Sequence, residues 1–293
     1  YKSRFPVISM TPTARSLILN LLLASEERGQ SARELIASCA LFAIRENSVR
    51  VALVRLAADA MIEPAGRGAY RLGPRAAVLA DDVATWRSAE ERVRDWTGGW
   101  IVVHVGALGR SNRVKLRVRD RALAMLGLRE LERGLYVRPD NLAGGVEEVR
   151  SRLKKLGLDE AAAVFIARDF DPERETRARR LWDGDALSAA YRSTRFELER
   201  WHAQADSLDA ETAAREAYLL GNDAIRLLVF DPLLPEPLVD ISERRALAAA
   251  VRSHDQAGRT MWQRLRLARD NADHDVAPPH SLQFAPHTAP ARP

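Results

Sequence analysis

Glu46-Asn47-Ser48-Val49-Arg50-Val51-Ala52-Leu53-Val54-Arg55-Leu56-Ala57-Ala58-Asp59-Ala60 is the stretch on which the N-terminal fold turns. Val49, Leu53, Leu56 and Ala60 recur at helical spacing and make one apolar stripe. Asn47, Ser48, Arg50, Val51 and Arg55 fall on or near the opposite face. A helix is therefore expected over residues 46–60, with one side for a core and the other for a polar partner. Glu46, at the helix start, suits the positive end of the helix dipole.

Reading outward, Leu17, Ile18, Leu21 and Leu22 predict an earlier helix, for which Pro12 suits the first turn. Ser31 and Glu34 have capping-box spacing and open a second helix carrying Leu35, Ile36 and Cys39. A short connection, Leu41 to Arg45, leads to the quoted stretch. After it, Met61-Ile62-Glu63, a turn at Pro64-Ala65-Gly66-Arg67-Gly68 and Ala69-Tyr70-Arg71-Leu72 read as a hairpin. Three helices and a glycine-tipped hairpin over residues 10–80 predict a winged helix-turn-helix, whose last helix enters the major groove of double-stranded DNA. Arg chemistry suits guanine edges and phosphates, Asn suits adenine, and Ser suits either base or phosphate. The DNA-binding candidates are Asn47, Ser48, Arg50, Val51, Arg55 and the wing residue Arg67. The segment holds nine arginines against six acidic residues, which leans towards DNA, although the same architecture also serves as a protein-binding module.

The whole chain has 293 residues and is 46% hydrophobic, enough for two or three packed units. Its net charge of +5 permits nucleic-acid binding without demonstrating it. No apolar run reaches membrane-spanning length and no signal peptide is read, and the single cysteine, Cys39, fits a reducing cytoplasm. Met10 opens a run that reads as a start, so residues 1–9 are given no role.

Residues 95–172 alternate strand and helix, with strands at Trp100–Val105, Gly134–Pro139 and Ala161–Ile166 and helices at residues 120–128 and 146–156. This β-α-β-α-β order predicts a small ferredoxin-like unit, which makes the chain α+β. Residues 173–270 read as largely helical with a proline-rich break at Asp231 to Pro237. The Pro-, His- and Ala-rich residues 271–293 read as a disordered tail.

Arg110 to Arg121 is the densest basic stretch, with six basic residues against one acid. Val114, Leu116 and Val118 alternate with Lys115, Arg117 and Arg119, a strand period that suits an exposed edge or a loop. Its partner stays open between an acyl-CoA phosphate, DNA phosphate and solvent. Arg113, Lys115 and Arg117 are the effector-binding candidates. No catalytic residue, metal site or cofactor is read. His104 lies in an apolar strand and reads as a hydrogen-bonded structural histidine. The other histidines lack metal-ligand spacing. The tryptophans, all outside the winged helix, read as core or inter-domain residues.

Ser48-Val49-Arg50-Val51-Ala52-Leu53-Val54-Arg55-Leu56 followed by Gly68-Ala69-Tyr70-Arg71-Leu72, then Gly134-Leu135-Tyr136-Val137-Arg138-Pro139, then Phe230-Asp231-Pro232-Leu233-Leu234-Pro235-Glu236-Pro237-Leu238, resemble the PaaX family of repressors, over most of residues 10–265. The resemblance implies a winged helix, a middle domain similar to the Cas2 fold and a helical C-terminal domain. It also implies a homodimeric repressor of catabolic genes, relieved by a small effector such as an aryl- or acyl-CoA thioester. After Leu238 the chain reads Val239-Asp240-Ile241-Ser242-Glu243 where that family often has Trp-Pro-Gly, which bears on the effector more than on DNA. The competing class is a Cas2-like nucleic-acid-processing enzyme with a winged-helix targeting domain. Its two-metal chemistry needs a carboxylate at the end of the first middle-domain strand, where this chain has Ile101-Val102-Val103-His104-Val105.

Overall fold

The computed structural model describes residues 12–25, 29–66, 68–76, 85–106, 108–109 and 111–275, with side chains as far as Leu267. Mixed α and β structure divides along the chain, with helices predominating at both ends. The N-terminal part holds α1 (Ala14–Ala24), β1 (Gln30–Ser31), α2 (Ala32–Ala40), α3 (Glu46–Ala58), β2 (Ile62–Pro64) and β3 (Ala69–Leu72). The three strands form an antiparallel sheet in the order β1-β3-β2. Leu17, Ile18, Leu21 and Leu22 of α1, Leu35 and Cys39 of α2, and Val49, Leu53 and Leu56 of α3 close on one another as a single core.

The caps follow from local chemistry. Thr13 caps α1, its hydroxyl accepting from the Ser16 amide at 3.2 Å, so Pro12 precedes the cap instead of lying in the first turn. Ser31 and Glu34 form the expected capping box: the Glu34 amide donates to the Ser31 hydroxyl and the Ser31 amide to the Glu34 carboxylate, at 3.2 and 2.6 Å. Gly29, at φ +68°, lets the chain enter β1, because a Cβ there would stand 2.8 Å from the Tyr70 carbonyl oxygen. α3 ends two residues earlier than expected, and Ala60 leaves it in the left-handed region at φ 53°, exposed.

The middle part is β4 (Trp100–His104), α4 (Arg113–Met125), β5 (Arg129–Glu132), β6 (Leu135–Pro139), α5 (Gly145–Lys155) and β7 (Ala163–Ala167). It forms one antiparallel sheet in the order β5-β6-β4-β7. The sequence reading lacks β5. Arg129-Glu130-Leu131-Glu132 is a charged edge strand with a register shift between Glu130 and Glu132, and such strands carry little hydrophobic pattern.

The basic stretch is likewise corrected. Arg113 to Met125 is helical, capped by Asn112, whose side-chain oxygen accepts from the amides of Val114 and Lys115 at 3.0 and 3.1 Å. The apparent period of two is misleading, because Val114 is 69% exposed whereas Arg119, Ala122 and Leu123 face inward at helical spacing.

The C-terminal part contains α6 (Pro172–Arg179), α7 (Gly184–Gln204), α8 (Ala210–Val229) and α9 (Ile241–Asp275). α9 thus runs past residue 270, and residues 276–293, most of the expected tail, lie outside the described residues. β4 explains how the parts join. Its odd residues Ile101 and Val103, with Val105 just beyond the strand, pack with Leu123 of α4 and Val149 and Leu153 of α5. Its even residues Trp100 and Val102 pack with Trp182, Tyr191, Leu228 and Leu247. Both faces are covered by helices, which is why β4 reads as an unbroken apolar run. One core therefore spans both sides of residue 173.

Among the described residues, no helix is long and apolar enough to cross a membrane.

Candidate nucleic-acid interface

α3 divides along its length. Val49, Ala52, Leu53 and Leu56 are buried, whereas Asn47, Ser48, Arg50, Val51 and Arg55 are all exposed. The five helix residues singled out from sequence are thus brought to one open side of one rigid element. Val54, 71% exposed, belongs with them; the sequence reading does not single it out, although its spacing from Arg50 and Val51 puts it on the outward side. The Arg50 guanidinium donates through two nitrogens to Glu46 Oε1 at 2.8 and 2.7 Å. Such an exposed i,i+4 pair is worth about 0.3–0.5 kcal/mol, so a phosphate or a base edge can displace it.

The hairpin beside α3 pairs Ile62 with Leu72 and Pro64 with Tyr70. Arg71 donates to Glu63 across it at 2.7 Å. Arg67, expected at the hairpin tip, lies outside the described residues. Arg15 on α1 pairs with Asp59, just past the end of α3, at 2.9 Å.

The α2–α3 turn is held from behind. Phe42 is buried, with its ring 5.1 Å from that of Tyr218 on α8 and 6.5 Å from that of Trp262 on α9. Asn20 on α1 donates to the Tyr218 hydroxyl at 2.8 Å. Burial pushes the Tyr218 phenol up to about 12, so it stays protonated. Ala43, next to Phe42, sits at φ 56°, a conformation costly for a residue with a Cβ and retained where the surrounding packing determines it. The orientation of α3 is therefore tied to the C-terminal helices. Phe42 and Asn20 carry no periodic signal that distinguishes this role in sequence.

The other sequence candidates separate from this surface. Arg113, Lys115 and Arg117 are exposed on α4, and Lys115 lies 4.0 Å from Asp159. His104 is exposed at the end of β4 instead of being buried in it. The buried histidine is His254, whose Nε2 lies 2.9 Å from the Ala217 carbonyl and whose ring packs on Trp201. Among the described residues no three His, Cys, Asp or Glu side chains gather as metal ligands. Cys39 is buried, and burial pushes its thiol up to about 11, which disfavours the reactive thiolate. Trp86, Trp100 and Trp201 are core residues, while Trp262 packs against the N-terminal core.

The proline-rich break is a buried junction. Arg138 of β6 donates to the carbonyls of Leu126, Pro139 and Pro232 and to the Asn141 side chain, and Asn141 donates to the Leu233 carbonyl at 2.7 Å. The Tyr191 hydroxyl and the Leu233 amide both donate to the Asp231 carboxylate, at 2.5 and 2.6 Å. Gly127 permits the approach, since a Cβ there would meet Pro232 at 2.8 Å. Arg244, 1% exposed, donates to the Leu234 carbonyl and to Glu90 at 2.7 and 2.8 Å.

Residues 13–76 match the family described as PaaX-like protein, and residues 182–264 match the PaaX-like protein C-terminal domain. No curated protein matches the chain. Among solved structures, the chain is similar to the uncharacterized protein Rv0674 from Mycobacterium tuberculosis, with 26% identity and a TM-score of 0.59 over 87% of this chain and 99% of that one. With its N-terminal and C-terminal segments both matched, the chain belongs to the PaaX-like family, a membership that points to a transcription regulator.

Proposed function

We propose that the protein is a transcription repressor that binds an operator in double-stranded DNA as a homodimer and releases it when a small effector, such as an aryl- or acyl-CoA thioester, binds. In this reading residues 12–76 are a winged helix-turn-helix with α3 as the recognition helix and β2–β3 as the wing. The unit over residues 95–172 is the ferredoxin-like, Cas2-like domain, and the helices beyond it form a C-terminal domain.

The observation that carries the reading is α3 itself. A helix anchored by Val49, Leu53 and Leu56 offers Asn47, Ser48, Arg50, Val51 and Arg55 along one open side. Arg and Asn there suit guanine and adenine edges, and Val51 and Val54 suit a thymine methyl. The family membership supports the regulatory role. Phe42 and Asn20, which tie the helix to α8 and α9, give an effector bound elsewhere a route to the spacing of two recognition helices in a dimer.

The effector itself must favour one arrangement of the domains, since equal affinity for two arrangements shifts neither. We further propose that the chain is not catalytic: the strand that carries the metal-binding carboxylate in Cas2-type enzymes ends here on His104.

A titration of the full chain against the DNA flanking its own gene tests the reading. Arg55→Ala should weaken binding by about 1–3 kcal/mol if Arg55 reads a base, and relax preference at one position. Salt-independent or absent DNA affinity in the parent would refute it, and a magnesium- or manganese-dependent cleavage of that DNA would favour the enzyme.

A further inference from the structure

A cavity of about 720 Å³ opens between α4 and the β5–β6 hairpin, at the end of the sheet where β4 runs out. Val105, Leu116, Leu123 and Leu128 give it an apolar wall, while Arg119, Arg129 and Arg133, with the carboxylates Asp120 and Glu130, make the rest of the lining polar. Its size, and the meeting of an apolar wall with an arginine-rich one, suit a small amphipathic ligand.

Arg119 is the unusual member. It is 8% exposed, and its buried Nε has no hydrogen-bond partner. Its nearest carboxylate is Asp120, at 3.9 Å and largely exposed, too far for a hydrogen bond. The other carboxylate at the cavity, Glu130, accepts from the Gly134 amide at 2.8 Å and so holds the hairpin turn. The Asp120 charge offsets part of the cost of burying the guanidinium, but a buried donor left without an acceptor is costly. The fold supplies no hydrogen-bond acceptor for this Nε, whereas an anion bound at the guanidinium would add one.

We propose that this cavity binds an organic anion, an apolar body carrying one carboxylate or phosphate, with the anionic group on Arg119 and the body against Val105, Leu116 and Leu123. Arg129 and Arg133 add positive charge around the cavity. The site stands independently of DNA binding; only its role as the seat of an effector rests on the regulator reading. The exposed face formed by Arg113, Lys115 and Arg117 takes no part.

Calorimetric titration of the full chain, without DNA, tests the site with octanoate, octyl phosphate and octan-1-ol. One or both anions should bind, and octan-1-ol should bind at least about tenfold more weakly than the better of them. The tighter anion identifies the head group. Arg119→Gln should lose at least about tenfold in affinity for that anion while melting no lower than the parent. Ala124→Phe, which fills the cavity from an exposed helix position with Arg119 in place, should also lose binding. The proposal is overturned if neither anion binds, if octan-1-ol binds equally well, or if both variants bind as the parent does. It is equally overturned if Arg119→Gln melts below the parent and Ala124→Phe binds normally. Failure of DNA binding would sink the regulator reading and leave the calorimetric result standing.

Discussion

The outward side of α3 and the junction at Asp231 to Pro237 are opposite solutions to the placement of charge. On α3, Arg50 and Arg55 stand in solvent, and the ion pair of Arg50 with Glu46 is exposed and replaceable. At the junction, Arg138 and Arg244 are 2% and 1% exposed and spend their donors on carbonyls and on Glu90. Exposed charges contribute little to stability and are free to serve a ligand. Buried ones are bound into the fold, and removing one leaves its partners unsatisfied. The comparison teaches that arginine count says little about nucleic acid here: the same residue type ties distant chain segments together in one place and stands exposed in the other.

The contrast can be broken at the junction first. Arg138→Ala orphans the carbonyls of Leu126 and Pro232 together with the Asn141 side chain, and should cost about 3–5 kcal/mol in urea unfolding. A loss below about 1 kcal/mol would mean that the junction is not held by hydrogen bonds.

Phe42→Ala comes next, at about 3 kcal/mol, because it empties the contact with Tyr218 and Trp262. An unchanged thermal midpoint for that variant would separate α3 from the C-terminal helices and remove the proposed route to the effector.

Arg50→Ala should show the reverse balance. Its stability should stay within about 0.5 kcal/mol of the parent, while DNA affinity falls by about 1–3 kcal/mol. Equal losses in both measurements would erase the distinction between the two regions.

The smallest effect concerns pH. Burial alone would raise the pKa of Glu90, but hydrogen bonds and charge from Arg244 and Arg245 hold it below the ordinary value of 4.5. A carboxylate lowered in the folded state stabilises above its unfolded pKa, and that contribution fades as pH falls through the folded value. Glu90→Gln should therefore cost about 1–2 kcal/mol at neutral pH, a difference from the parent that closes as the pH drops below about 4.5. A difference that persists into acid would assign the loss to packing.

Helix α3 was legible because its signal is local. Val49, Leu53 and Leu56 repeat at the helical period, so burying them places Asn47, Ser48, Arg50, Val51 and Arg55 outside whatever the partner core is. The same holds for the Ser31–Glu34 capping box, which two residues three positions apart suffice to specify, and for β4, whose continuous apolar run reflects cover on both faces. Local period failed where the core was not local. Val114 to Arg119 alternates like a strand, yet it continues the helix expected from residue 120, because Ala122 and Leu123 pack with Ile101 and Val103. β5 was silent because an edge strand keeps its charges in water.

What only the tertiary structure decided are the encounters between distant residues. Phe42 meets Tyr218 and Trp262, Arg138 meets Pro232, and Glu90 meets Arg244 across 154 residues of chain. None has a spacing rule, since each depends on how whole elements pack. Arg119 shows the same division. Sequence placed it in a basic stretch with Arg113, Lys115 and Arg117, but it alone is buried among them. A helix turning against a sheet set it at a cavity wall and left its neighbours in solvent.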